Sequence, residues 1–346
     1  MSHKQKINIS LFYIGLIVLL FSTVVVAVSF GSVHIAIKDV LVIFYSGLTD
    51  SSLPDRINPN YQNIILSIRL PRVVLAGLVG ASLAITGAAF QGLLRNPLAD
   101  PYTLGISSGA SVGAVMTIFF SISLPIIGQL TLPILSIVFA FLTMLIVIFF
   151  ARKLDRSLRV ETIILTGIVF SSFLGAVISL MIALTGEELR QIIGWLLGSV
   201  SMRGWKYVFI LLPFFIIGSF LLMLQANELN VMSFGEEQAQ HIGVAVQSKK
   251  MMVMVAGSIL TGAAVAVSGT IGFVGLVIPH FVRLLIGPNH RHVLPASILV
   301  GASFLILADL VARTIISPAE LPIGVITALI GAPIFGVILM RQRLKG

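Results

Sequence analysis

Between Pro101 and Ala151 the chain runs for 51 residues without a charged side chain. A helix needs about 20 mostly apolar residues to cross a bilayer. This run therefore holds two crossings, parted near Pro125, Gly128 and Pro133. The whole chain has the same character: 57% of its 346 residues are hydrophobic and 10% are charged. Soluble domains carry roughly 45–50% and about 25%. The apolar excess also excludes disorder. The bilayer is the solvent for which this sequence is written.

Other apolar runs extend the count. Ile7 to Val33 is too long for the h-region of a signal peptide, about 7–15 residues, and reads as an uncleaved first span. Val73–Leu94, the two spans within 101–151, Thr162–Gly186, Tyr207–Asn227 and a run from Met251 follow. Gly272–Gly287 is short and carries Pro279, His280 and Arg283, so it reads as a broken or tilted eighth span. Val293–Ser317 and Leu321–Met340 bring the total to ten. Two further segments are too short to cross: 34–48, an amphipathic surface helix, and 187–205, a short helix with Trp195 and Trp205 in the interfacial belt.

An even number of spans puts both termini on one side. Lys4, Lys6, Arg95, Arg152, Lys153, Arg156, Arg159, Lys249, Lys250, Arg283, Arg291, Arg341, Arg343 and Lys345 fall on that side, 14 of the 22 basic residues. By the positive-inside rule it is cytoplasmic. The net charge of +9 is thus accounted for by topology, with no nucleic-acid partner. Lys38, Arg56, Arg69, Arg72, Arg190, Arg203, Lys206 and Arg313 remain outside.

The chain repeats itself. GASLAITGAAFQGLLRNP (80–97) and GAAVAVSGTIGFVGLVIP (262–279) share small residues and a Pro ten positions after a Thr/Ser-Gly pair. They fall on spans two and seven, which run in opposite directions, as in inverted-repeat transporters. The small residues also allow close helix approach.

Chemistry is sparse. There is no cysteine, no Gly-Lys pair and therefore no P-loop, and no His-Glu-x-x-His. His290-Arg-His292 reads as a solvated turn rather than a metal site. Intramembrane charge is costly and marks function. Here it is confined to Asp309 and Arg313, spaced to pair on one helix face. The longest inner loop, 225–250, offers Leu229, Val231, Met232 and Phe234, a Gly235 break, and Glu236-Glu237 opening a second short helix. Such helices suit docking into a partner's groove. An ATP-driven permease, an ion-coupled carrier relying on Asp309, and a membrane enzyme are the alternatives. The third lacks any buried cluster of His, Asp or Ser.

Three blocks carry a family resemblance: RLPRVVLAGLVGASLAITGAAFQGLLRNPLADPYTLGISSGASVGA (69–114), GTIGFVGLVIPHFVRLLIGPNHRHVLP (269–295) and LADLVARTIISPAELPIGVITALIGAPIFGVIL (307–339). The chain resembles the FecCD-type permeases, membrane subunits of ABC importers for iron–siderophore complexes, heme and vitamin B12. The resemblance implies an all-α, ten-helix type II importer permease, a single domain over 1–346. Its repeat halves are near 69–186 and 249–340, and 225–250 is a cytoplasmic coupling loop. It implies a second permease copy, identical or closely related, two cytoplasmic ATPase subunits that use the ATP, and an extracytoplasmic binding protein that delivers the chelate. No cofactor or metal is bound by this chain. Iron(III)–siderophore ranks first as cargo, cobalamin or heme next.

By position the resemblance assigns ATPase coupling to Gly235, Glu236, Glu237, Ala239 and Gly243. Binding-protein docking falls to Arg69, Arg72 and Arg313. The inner gate falls to Asn96, Leu98 and the segment from Val160 to Thr162. There the chain departs from the family pattern, with Arg159 and Glu161 where small hydroxylated residues are expected.

Overall fold

The computed structural model describes residues 9–343 apart from 32, 34, 50–52 and 55–56. Lys4, Lys6, Arg56 and Lys345, used above for topology, lie outside the described residues, as do the side chains of Arg341 and Arg343. The first half comprises α1 (Ile9–Ser29), α2 (Ile37–Thr49), α3 (Pro59–Asn63), α4 (Leu70–Leu93), α5 (Ile106–Phe119), α6 (Thr131–Leu154) and α7 (Val160–Leu184). Then come α8 (Leu189–Leu196), α9 (Gly204–Leu224), α10 (Ala226–Met232), α11 (Glu236–His241), α12 (Val246–Ser268), α13 (Val274–Ile286), α14 (His290–Thr314) and α15 (Ile323–Arg343). Among the described residues there is no strand.

Seven helical segments are long and apolar enough to cross a membrane, those of α1, α4, α6, α7, α9, α12 and α14. The shorter apolar helices α5 and α13 and the apolar part of α15, Ile323–Val337, complete the ten that the sequence counts. The expected eighth span is α13, kept short by Gly269–Phe273 before it and Gly287 after it. The amphipathic α2 and the short α8 sit where the composition placed them.

The helices differ in what surrounds them. The most apolar window of the α3–α4 segment is 83% buried and that of α12 is 78%, against 17% for α7 and 22% for α1. A helix that is apolar all round and buried all round is a central one. Hence α4 is the axis, packed on α12, α13, α14 and α9, while α7 shows most of its surface to whatever lies outside the chain. Apolar side chains gain little from leaving lipid, so contact must come from close fit. The glycines supply it. A Cβ on Gly80 would overlap the Gly301 carbonyl oxygen of α14, and one on Gly87 would overlap Gly275 of α13. Phe90 and Thr86 of α4 lie against Gly257 of α12, whose Gly262 in turn faces Ala140 of α6.

The two repeat copies share this packing but not their backbone path. The first stays helical to Leu93. The second breaks after Ser268, where Gly269 has φ 72° and the Trp195 carbonyl occupies the place of a Cβ. Trp195 itself is buried, whereas the sequence leads one to expect a ring exposed at the mouth. Trp205 is half-buried and donates to the Leu66 carbonyl at 3.0 Å.

Candidate functional site

Polar chemistry gathers at the two ends of the bundle. At one end α10 and α11 lie against the starts of α12 and α14. Gly235 joins them with φ 131° and ψ 149°, a backbone region open only to glycine. Two consecutive lysines of α12 grip the two short helices separately. Lys249 Nζ donates to Glu228 Oε1 of α10 at 2.7 Å, and Lys250 Nζ to Glu236 Oε2 of α11 at 2.6 Å. The Lys250 side chain is 1% exposed and also donates to the Leu158 carbonyl at 3.1 Å. Burial raises the pKa of Glu228, but the Lys249 hydrogen bond, a backbone hydrogen bond and the Lys249 charge together outweigh it and the net shift is downward. On the α14 side, Asn230 Oδ1 accepts the His290 amide at 2.8 Å, Asn230 Nδ2 donates to Asn289 Oδ1 at 2.8 Å, and Arg291 donates to Asn227.

The apolar ridge expected on this loop is turned partly inward. Leu229 and Met232 are fully buried, as is Ala239, because they close the gap between the short helices and the bundle. Phe234 and Ile242 are the exposed apolar side chains, with Glu237 exposed beside them. Gly243, at φ 89°, ends the segment. His290 opens α14 and is buried, so His290–His292 is no solvated turn. Among the described residues no group of three or more metal-ligating side chains forms.

The gate candidates divide. Asn96 Oδ1 accepts the Leu98 amide at 2.9 Å, a local turn that leaves Leu98 exposed after Arg95, itself at φ 48°. Val160 opens α7 and lines a cavity of about 420 Å³ together with Arg95, Gly235, Glu236 and Glu237. Thr162 faces a different, apolar groove with Phe150 and Phe170. Arg159 pairs with Asp155 at 3.0 Å in the turn before α7. The Ser157 hydroxyl and amide hold the Asp155 carboxyl well below the usual range.

At the opposite end a six-residue π-helical turn, Ile64–Arg69, leads into α4. It aims the Arg69 guanidinium at the carbonyls of Val28 (2.8 Å) and Ser29 (3.0 Å) and at that of Val33. Arg72, one turn on, donates Nε and Nη2 to Asp309 Oδ1 at 3.0 and 2.9 Å, and Nη1 to Glu320 Oε1 at 2.8 Å. Arg313 Nε stands 3.6 Å from Asp309 Oδ2, and its Nη2 reaches the Ala27 carbonyl. The expected Asp309–Arg313 pair is therefore the longer of two, and Arg72 is the main partner of Asp309. Asp309 is fully buried and Arg69 and Arg313 nearly so. All three arginines expected at a docking surface are engaged inside the chain in this conformation. Burial raises the Glu320 carboxyl, but the hydrogen bonds of Arg72 and Ser201 and the charges of Arg72 and Arg313 together lower it more, and the result lies below the ordinary value.

Sequence reasoning missed Lys250 and Glu320. Lys250 reads as one more topological lysine, though its place directly before an apolar run was a signal that its stem would be buried. Glu320 is the lone carboxylate between the last two spans.

With this geometry in view, comparisons with known proteins agree with one another. The model of the FecCD transport family matches residues 16–341. An uncharacterized ABC transporter permease, YvrB of Bacillus subtilis, is 60% identical over 94% of this chain and 92% of its own length. The cobalamin import permease BtuC of Halobacterium salinarum is 42% identical, over 88% and 79%. The molybdate import permease MolB of Haemophilus influenzae is 39% identical, over 96% of each chain. A solved inward-facing ABC transporter assigned to the metal-chelate type superposes with a TM-score of 0.82 at 35% identity, covering 95% of this chain and 98% of its own.

Proposed function

The chain belongs to the FecCD transport family, and from that premise we propose that it conducts a metal chelate across the plasma membrane, driven by ATPase subunits that dock on α10 and α11. As a FecCD permease it is a multi-pass membrane subunit of an ABC importer. The observation that carries the finer reading is the clamped α10–α11 pair, which presents Phe234, Glu237 and Ile242 outward while Lys249 and Lys250 hold its inner face. A firmly held short helix with an exposed apolar side chain is what a partner's groove needs in order to push on the bundle. In this reading α10–α11 and both termini face the cytoplasm, in keeping with the basic residues on that side. Residues 225–250 form the coupling loop between repeat halves near 69–186 and 249–340. Asn96, Leu98, Val160 and Thr162 border the inner gate. A second copy, identical or closely related, covers faces that one chain leaves bare, α7 among them. ATP is used by the partner ATPase, and this chain binds no cofactor of its own.

An extracytoplasmic binding protein docks at the end that carries Arg69, Arg72 and Arg313. Of these Arg72 is best placed to exchange partners, because its Glu320 contact is at the surface: the Glu320 side chain is 40% exposed. Iron(III)–siderophore is the cargo we rank first. The cobalamin relative at 42% identity favours a second reading, a corrinoid importer with the same mechanism. Deleting the gene and comparing uptake of radioactive iron–siderophore and radioactive cobalamin in the same cells separates them. Loss of iron uptake alone supports the first, and loss of cobalamin uptake alone supports the second. Uptake that survives ATP depletion refutes both in favour of an ion-coupled carrier.

A further inference from the structure

We infer that Lys250 is the positioning residue that ties the movement of α11 to the turn preceding α7. The observation is a junction of three elements on one buried ammonium. Lys250 belongs to α12, its first acceptor is Glu236, which opens α11, and its second is the carbonyl of Leu158. Leu158 is buried and sits at φ 50°, a left-handed conformation that a branched residue adopts only when its surroundings hold it. Val160, the first residue of α7, follows two positions later. Lys249 binds α10, through Glu228, so among the described residues the two neighbouring lysines have separate tasks.

Burying an ammonium is tolerated only while its partners stay in place. If α11 is displaced and carries Glu236 away, Lys250 loses its counter-ion. It must then follow Glu236, and in doing so either release the Leu158 carbonyl or draw the turn along. Either way the Asp155–Arg159 turn and the start of α7 register the displacement. This inference rests on the proposal that an ATPase acts on α11, and it adds which side chain passes the movement on.

The test is hydrogen exchange by mass spectrometry on the permease–ATPase complex in nanodiscs, with and without ATP and vanadate, following peptides over 155–162 and 236–243. Wild type should show a nucleotide-dependent change in exchange rate in both, of about fivefold at 155–162, the ratio set by gaining or losing one hydrogen bond. In Lys250→Met, which leaves the Glu236 carboxylate 24% exposed and open to water, the change at 236–243 should persist. At 155–162 the ratio should fall to about one, and Lys250→Arg should restore most of it. A purely structural lysine would raise the basal exchange of both states and leave the ratio intact, so a persisting ratio at 155–162 overturns the inference. If wild type responds in neither segment, the coupling proposal itself fails and this inference falls with it.

Discussion

Replacing Asp309 by Asn tests the arginine cluster at the end opposite α10–α11. The carboxylate is fully buried and accepts Arg72 Nε and Nη2 on one oxygen at 3.0 and 2.9 Å, with Arg313 at 3.6 Å from the other. Asparagine keeps the shape and one acceptor oxygen. It removes the charge and turns an NH2 donor toward guanidinium donors. Breaking a buried pair from one side costs about 3–5 kcal/mol. Glu320 remains on Arg72 at 2.8 Å and keeps the loss near the lower bound, about 3 kcal/mol. With an unfolding entropy of about 2.1 cal/mol/K per residue, 346 residues give ~0.7 kcal/mol/K, so Tm should fall by about 4 °C. The assay is a thermal scan of the purified protein in detergent, read by intrinsic fluorescence. Arg313→Met should cost less alone than its loss of packing suggests. In the double variant the two losses should sum to more than the measured total, because removing a cation relieves the surplus positive charge. A Tm for Asp309→Asn within about 1 °C of wild type, or strictly additive losses, would refute the assignment of Asp309 as the anion that holds the cluster together.

Four further outcomes are expected. Gly80→Val should destabilise the protein by about 1–3 kcal/mol or more, since α4 and α14 must part to admit the side chain; the same thermal scan checks it, with exposed Gly15→Val as a neutral control. Gly235→Ala, at φ 131°, should cost about 1–3 kcal/mol locally and lower transport more than ATP hydrolysis, measured side by side in proteoliposomes. Glu237→Arg, on the exposed face of α11, should leave Tm unchanged and uncouple hydrolysis from transport. Glu228 and Glu320 both have pKa values lowered on folding, so their contribution to stability is complete above the unfolded value of about 4.3 and is lost as pH falls through the lower folded one. Tm should therefore hold from neutral pH to about 4.5 and drop below that, and Glu320→Gln should flatten part of the drop.

The helices were legible because a bilayer imposes a length on every apolar run. Ten spans, the short α13 and the surface helix α2 could be read directly. Three kinds of feature could not. The inward turn of Leu229 and Met232 depends on where the bundle leaves a gap, which a seven-residue helix does not announce. The choice of Arg72 over Arg313 as partner of Asp309 is a contact across 237 positions, whereas sequence spacing shows only the neighbour one turn away. Lys250 looked like topology because a lysine before a span usually is. Its burial follows from two acceptors supplied by segments 14 and 92 residues off.

The meeting of Gly80 with Gly301 has a mechanical meaning. Side chains between two helices act as padding: they change rotamer and let one rod slide over the other. Here a carbonyl oxygen lies where a Cβ would be, and no padding intervenes. Sliding α4 along α14 would drive main chain into main chain. The two therefore travel as one beam, pinned at one end by Arg72 on Asp309 and running toward Gln91 and His290 at the other. Whatever rocks in this protein rocks around that beam.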